Sequence, residues 1–163
     1  MIRHAGLIAR FDRGRWRGVL IEGASGAGKS DLALRLLDAG FRLVADDRTL
    51  VWASEGRLFG RAPETIAGLI EARGHGILTT PAIVFAEIVL AAHCVTGAVE
   101  RLPDPRTEII AGVATPACDI NPRELSAPAK LCRAMQHLGG TAQQAYQAAS
   151  RGGGDRAGTG DTH

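Results

Sequence analysis

Short apolar runs, each closed by glycine, proline or aspartate, set the rhythm of this chain. Residues 5–11 (AGLIARF) read as a first strand, and DRGRWR follows as a polar turn. GVLIEG (18–23) is an apolar run ending in glycine, the pattern of a buried strand that feeds a loop. From Lys29 to Ala39 the spacing changes. Leu32, Ala33, Leu36 and Leu37 recur at the helical period and predict a helix closed by Gly40 at the C′ position. FRLVADD (41–47) and RTLVWA (48–53) read as further strands, and SEG (54–56) predicts a hairpin into RLFG (57–60). Pro63 opens a less regular stretch, 63–78, where Gly68, Gly74 and Gly76 argue against a long helix; a turn or short helix leading into a loop is expected. AIVFAEIVLAA (82–92) predicts a buried strand, ERLPDP (100–105) breaks it, and TEIIAGV (107–113) predicts another. PAKLCRAMQHL (128–138) and TAQQAYQAA (141–149) predict one or two helices separated by Gly139 and Gly140. Residues 150–163 are apolar-poor and repetitive, so a disordered tail is expected after a single domain over 1–149.

Composition narrows the classes. A chain of 163 residues is long enough for one substantial core, and scarce aromatics leave Leu, Ile, Val and Ala to fill it. The formal net charge of +2 is spread thinly, with no basic block or stripe, which argues against nucleic acid as a partner. The longest apolar stretch, PAIVFAEIVLAAHCV, is interrupted by Glu87 and His93 and is too short to span a bilayer, so no membrane insertion is expected. Cys94, Cys118 and Cys132 form no CxxC pair; a zinc site is not expected, and reduced thiols in a cytoplasmic protein are.

The chemistry concentrates in one short stretch. GASGAGKS, that is Gly23, Ala24, Ser25, Gly26, Ala27, Gly28, Lys29 and Ser30, fits G-x-x-x-x-G-K-[ST] at every fixed position, with a strand before it and a helix after. Glycines let backbone N–H groups approach phosphate oxygens, and the unpaired N–H groups of the following helix point at the same anion. Lys29 can reach the β- and γ-phosphates of ATP, and Ser30 can place its hydroxyl on Mg²⁺. Asp46 and Asp47 close the next predicted strand, and in open α/β sheets ligands bind beyond the carboxyl ends of strands. One acid there can serve Mg²⁺ through water, and the other can accept a proton. Alternatively either one simply caps the turn before RTLVWA.

With HAGLIARF, GVLIEGASGAGKS, LRLLDAGFRLVADD, LIEARGHGIL and ERLP in this order, the chain resembles the catalytic domain of the HPr kinase/phosphorylase family over about residues 3–104. The resemblance is to short, alphaproteobacterial-type forms that lack an N-terminal domain. It implies an α/β fold, a P-loop kinase core similar to phosphoenolpyruvate carboxykinase, with a mixed sheet and flanking helices. It also implies a serine kinase acting on the phosphocarrier HPr, with ATP and Mg²⁺ as cofactors and assembly as a homo-oligomer, a hexamer in the family. By resemblance, His4 pairs with the catalytic acid, Asp47 is the base with Asp46 supporting it, and Lys29 and Ser30 hold phosphate and magnesium. Glu71 would be a further magnesium ligand, and Arg101 a catalytic arginine.

Two departures stand out. His75 occupies a position where the family signature has leucine. The family's VPVRPGRN-like segment, tied to dephosphorylation, matches ATPACDINPRE (114–124) without its first arginine, which argues against phosphorylase activity. Two other functions share the loop motif: a small-molecule P-loop kinase, and an ATP-sensing regulatory module without transfer activity. The short, strand-like chain between the aspartates and Glu71 leaves no room for a substrate arm, and the retained acids argue against a mere sensor.

Overall fold

The computed structural model describes residues 1–138 and 140–152. Eleven strands and three α-helices are found among them. The strands are β1 (Ile2–Arg3), β2 (Ala5–Asp12), β3 (Arg15–Glu22), β4 (Arg42–Ala45), β5 (Thr49–Ser54), β6 (Arg57–Arg61), β7 (Leu69–Ala72), β8 (Gly76–Thr79), β9 (Ala86–Cys94), β10 (Arg106–Ile110) and β11 (Val113–Ile120). The helices are α1 (Lys29–Leu37), α2 (Ala127–Gln136) and α3 (Gln143–Gly152). A mixed sheet runs β1-β5-β6-β9-β3-β2-β4, with the β10–β11 hairpin joined to it through β9; β7 and β8 pair separately. The fold is thus α/β, as the sequence implies.

Direction within the sheet positions everything that follows. β3 and β9 are parallel, β9 and β11 are parallel, and β4 reaches the same sense through antiparallel β2. The carboxyl ends of β3, β4, β9 and β11 therefore lie along one edge, and the start of β2 lies there too. The glycine-rich loop, Asp46-Asp47, the segment carrying Arg101 and the segment 121–124 all leave from that edge. On one face, α1 and α2 bury Leu32, Ala33, Leu36, Leu131 and Met135 against Ile8, Val19, Ile21, Leu43 and Leu90. Each fully buried leucine there contributes roughly 1.5–3 kcal/mol. On the other face the sheet curls onto itself, and Leu7, Leu20, Val51, Leu58 and Ile88 form a second cluster.

α1 ends at Leu37 and is closed as expected by Gly40, which takes φ 89° while Phe41 N donates to Leu36 O at 3.2 Å across it. Several other elements differ from the sequence expectation. The stretch 63–78 is a 3-10 turn at Glu64–Ile66 followed by the β7–β8 hairpin, not a loop. Gly74 and Gly76 at positive φ make the turn of that hairpin, so the glycines that argue against helix argue for pairing. β9 begins four residues later than expected, because Ile83 N donates to Leu43 O and leaves Val84 and Phe85 exposed. TEIIAGV covers most of β10, the turn and the first residue of β11, a return strand that the sequence pattern does not predict because it holds Pro116. That residue is tolerated because it precedes the part of β11 that pairs with β9. α3 continues through Gly152, past the expected boundary; the rest of the expected tail, 153–163, and Gly139 lie outside the described residues. Among the described residues no helix is long and apolar enough to cross a membrane.

Candidate active site

β3 delivers Gly23 to the sheet edge, and the loop 23–28 turns directly into α1. Gly28 is the N-cap of α1 at φ 102°, and a Cβ placed on it would sit 3.2 Å from Pro122 Cγ. A side chain here would be strained by its backbone and would press on the neighbouring segment. Lys29 is buried, and its Nζ donates to Gly23 O (2.8 Å) and Ala24 O (3.0 Å), folding the ammonium over the loop it follows.

Asp46 ties three elements together. It is 8% exposed, and its Oδ1 accepts from Ser30 Oγ at 2.8 Å while its Oδ2 accepts from Glu71 N at 2.9 Å. The first turn of α1, the end of β4 and the middle of β7 are thus joined through one carboxylate. Asp47 behaves differently. Arg48 N donates to Asp46 O at 2.7 Å across it, and Asp47 takes φ 66°, a left-handed conformation that aspartate tolerates better than most residues. This tight turn swings its side chain away from that of Asp46 and leaves it 57% exposed. His4 Nδ1 lies 3.7 Å from Asp47 Oδ1.

A cavity of about 370 Å³ opens over the loop. Gly26, Gly28, Lys29 and Ser30 form its floor, and Asp47, Glu71, Arg73 and His75 line it from β4 and the β7–β8 hairpin. Asp31, Leu34, Pro122 and Arg123 complete it. Ser30 and Glu71 offer only oxygen ligands, with Asp46 behind Ser30, and such donors suit a hard cation such as Mg²⁺ rather than zinc. Ser30 donates its proton to Asp46, so its oxygen lone pairs face away from that carboxylate and are free to ligate.

The structure therefore gathers the glycine-rich loop, Lys29, Ser30, Asp46, Asp47, Glu71 and His4 in one place. It does not gather Arg101, which is exposed on the segment after β9 and is not among the residues lining the cavity. Sequence reasoning missed Asp31, Leu34, Pro122 and Arg123. The signal for the last two was available: both lie in ATPACDINPRE, the segment the resemblance matches to a family motif, and Asn121-Pro122 is a turn dipeptide within it.

A second polar cluster lies on the same edge. Ligand atoms of Glu22, His93 and Glu108 all fall within 4.8 Å of one another. Protein partners already serve most of them: Arg3 Nη2 donates to Glu22 Oε1 at 2.5 Å, and His93 Nε2 meets Glu108 Oε2 at 2.9 Å. Close by, burial pushes the thiols of Cys94 and Cys118 up to about 11. At neutral pH both are protonated and unreactive, as suits cysteines used for packing.

Comparison with known proteins places the chain in a family. The family model described as HPr Serine kinase C-terminal domain matches residues 4–100, and the chain belongs to that family. An HPr kinase/phosphorylase of Clostridium tetani is 47% identical over 66 residues, 40% of this chain and 22% of the relative. One from Streptococcus thermophilus is 49% identical over 73 residues, 44% of this chain and 24% of the relative. These matches span about a quarter of the curated relatives' length. The solved structure of the Hpr(Ser) kinase/phosphatase from Coxiella burnetii superposes with a TM-score of 0.70 at 27% identity, covering 83% of this chain and 94% of that one.

Proposed function

We propose that this chain is an ATP-dependent protein serine kinase that phosphorylates an HPr-type phosphocarrier of a sugar or nitrogen phosphotransferase system. The observation that carries this reading is the pair of consecutive aspartates with different surroundings. Asp46 is committed to Ser30 and Glu71 N, while Asp47 stands open at the cavity beside His4. The loop N–H groups and Lys29 bind and neutralise the nucleotide phosphates. Ser30 and Glu71 would hold Mg²⁺, which supplies charge neutralisation on the phosphates when bound. Asp47 accepts the proton of the acceptor serine hydroxyl, and His4 orients the Asp47 carboxylate. Arg101 leaves from the same sheet edge, and its part in transfer requires the segment after β9 to fold over the cavity. A cytoplasmic location and assembly as a homo-oligomer, hexameric as in the family, belong to the same reading. The missing arginine at the start of the family's dephosphorylation segment argues against phosphorolysis of the product.

The test is transfer itself. The protein is mixed with Mg-ATP labelled on the γ-phosphate and a purified HPr-type carrier, beside Lys29→Ala and Asp47→Asn. Label on a carrier serine, lost with Lys29→Ala and reduced about 10²–10⁴-fold with Asp47→Asn, is expected. ATP binding without label on the carrier would overturn the kinase reading in favour of a metabolite kinase or a nucleotide sensor.

A further inference from the structure

The segment after β11 is held against the glycine-rich loop by more contacts than a simple connection requires. Asn121 Oδ1 accepts from Arg123 N at 3.0 Å, and Asn121 Nδ2 donates to Gly97 O at 2.9 Å. From α1, Arg35 Nη2 donates to Pro122 O and Arg35 Nη1 donates to Glu124 O at 3.3 Å. Arg35 Nε is itself fixed by Asp31 Oδ2 at 3.1 Å. The Pro122 ring closes on Gly28, the N-cap of α1. One guanidinium therefore locks the first turns of α1 and the segment 121–124 into a single unit. Arg35 spends its donors on backbone carbonyls and one carboxylate, while Arg123, exposed and among the residues that line the cavity, makes no side-chain hydrogen bond or ion pair among the described residues.

Charge gives that free guanidinium a task. Lys29, Arg73 and Arg123 are the lysine and arginine side chains that line the cavity, against Asp31, Asp47 and Glu71. Arg101 is not there to help. A triphosphate chain seated on the loop needs cationic donors beyond Lys29, and Arg123 is delivered by a proline that touches the N-cap glycine itself. A guanidinium suits the purpose, since its planar fork can meet phosphate oxygens with two parallel bonds.

We propose that Arg123 contacts the phosphate chain of the bound nucleoside triphosphate, and that Arg35 is the positioning residue that holds 121–124 so that it can. This rests on the nucleotide-binding part of the function proposed above.

Dissociation constants of Mg-ATP and of magnesium inorganic triphosphate are measured on the full chain for wild type, Arg123→Ala, Arg123→Lys, Arg35→Ala and the Arg35→Ala/Arg123→Ala double variant. Arg123→Ala, an exposed substitution, is expected to weaken both ligands about tenfold by a common factor, with partial rescue by Arg123→Lys. Arg35→Ala is expected to weaken them similarly, and the double variant to be no weaker than Arg123→Ala alone. Unchanged binding by Arg123→Ala overturns the inference and leaves the nucleotide reading intact. Weakening of ATP alone, with triphosphate unaffected, overturns the phosphate contact and moves Arg123 to the nucleoside. Additive losses in the double variant overturn the positioning role of Arg35. Wild-type protein that binds neither ligand sinks the nucleotide reading, and the inference with it.

Discussion

Around Asp46 the protein is closed and finished: the carboxylate is 8% exposed and both of its oxygens are satisfied by groups from α1 and β7. One residue later, around Asp47 and His4, the side chains are 57% and 70% exposed and sit 3.7 Å apart, too far for a hydrogen bond. The backbone turn at Asp47 separates the two neighbourhoods. The difference teaches how one dipeptide can divide its work, and under the proposed function it would serve both partners of a transfer reaction. The side that receives a small, constant ligand is preorganised, because donors fixed in advance lose nothing when it binds. On the function proposed above, the side left open is the one that an acceptor protein would complete.

The sharpest way to break this contrast is to remove each acid in turn. Asp47→Asn keeps a residue at ease in the left-handed region, so thermal stability and nucleotide binding are expected to hold while turnover falls by the large factor given above. Asp46→Ala is expected to do the reverse: it strands the Glu71 N–H and costs about 1–3 kcal/mol in chemical denaturation, with weaker Mg²⁺-dependent binding as a result. If both substitutions lower stability equally, the open and closed neighbourhoods are not distinct.

A smaller effect separates interior from rim by pH. Cys94 and Cys118 are raised from 9.0 to about 11 by burial, so above pH 9 the unfolded chain gives up thiol protons that the folded one keeps. Their contribution is complete below pH 9 and is lost as pH rises toward about 11. Melts of wild type and a Cys94→Ala/Cys118→Ala variant should therefore converge in pH dependence below 9 and diverge above it, wild type falling more steeply. The smallest effect belongs to the rim. Arg106 Nη2 lies 2.8 Å from Asp119 Oδ1, and that hydrogen bond lowers the Asp119 carboxyl below the usual carboxylate range. A depressed acid stabilises above its ordinary titration range and ceases to as pH falls through its folded value. Because the pair is exposed, Asp119→Asn is expected to cost no more than about 1 kcal/mol at neutral pH and nothing measurable in strong acid.

Much of this was legible beforehand because local physics and tertiary context agree in the first sixty residues. The Leu32-Ala33-Leu36 spacing, the glycine-rich loop and the SEG turn each permit one structure, and each formed. Legibility failed where a residue's local preference points the wrong way. Gly74 and Gly76 weaken a helix but suit a hairpin, and Pro116 discourages a strand but is tolerated in the part of β11 that pairs with β10 alone. The site divides on the same line. The loop, Lys29, Ser30 and the two acids were marked by motif; Pro122 and Arg123 fell in a segment matched to a family motif but were not tied to the loop, because what places them is an arginine 87 residues before Pro122.

That separation also bears on the order in which the cavity can be assembled. The bonds from Asp46 to Ser30 and to Glu71 N close loops of 16 and 25 residues, whereas Arg35 must wait for Pro122, 87 residues on. Longer loops cost more entropy to close and form later. A chain emerging from the ribosome can thus join the phosphate loop to the paired acids well before its last strand exists, and the clamp of Arg35 on 121–124 is the final step that makes the cavity whole.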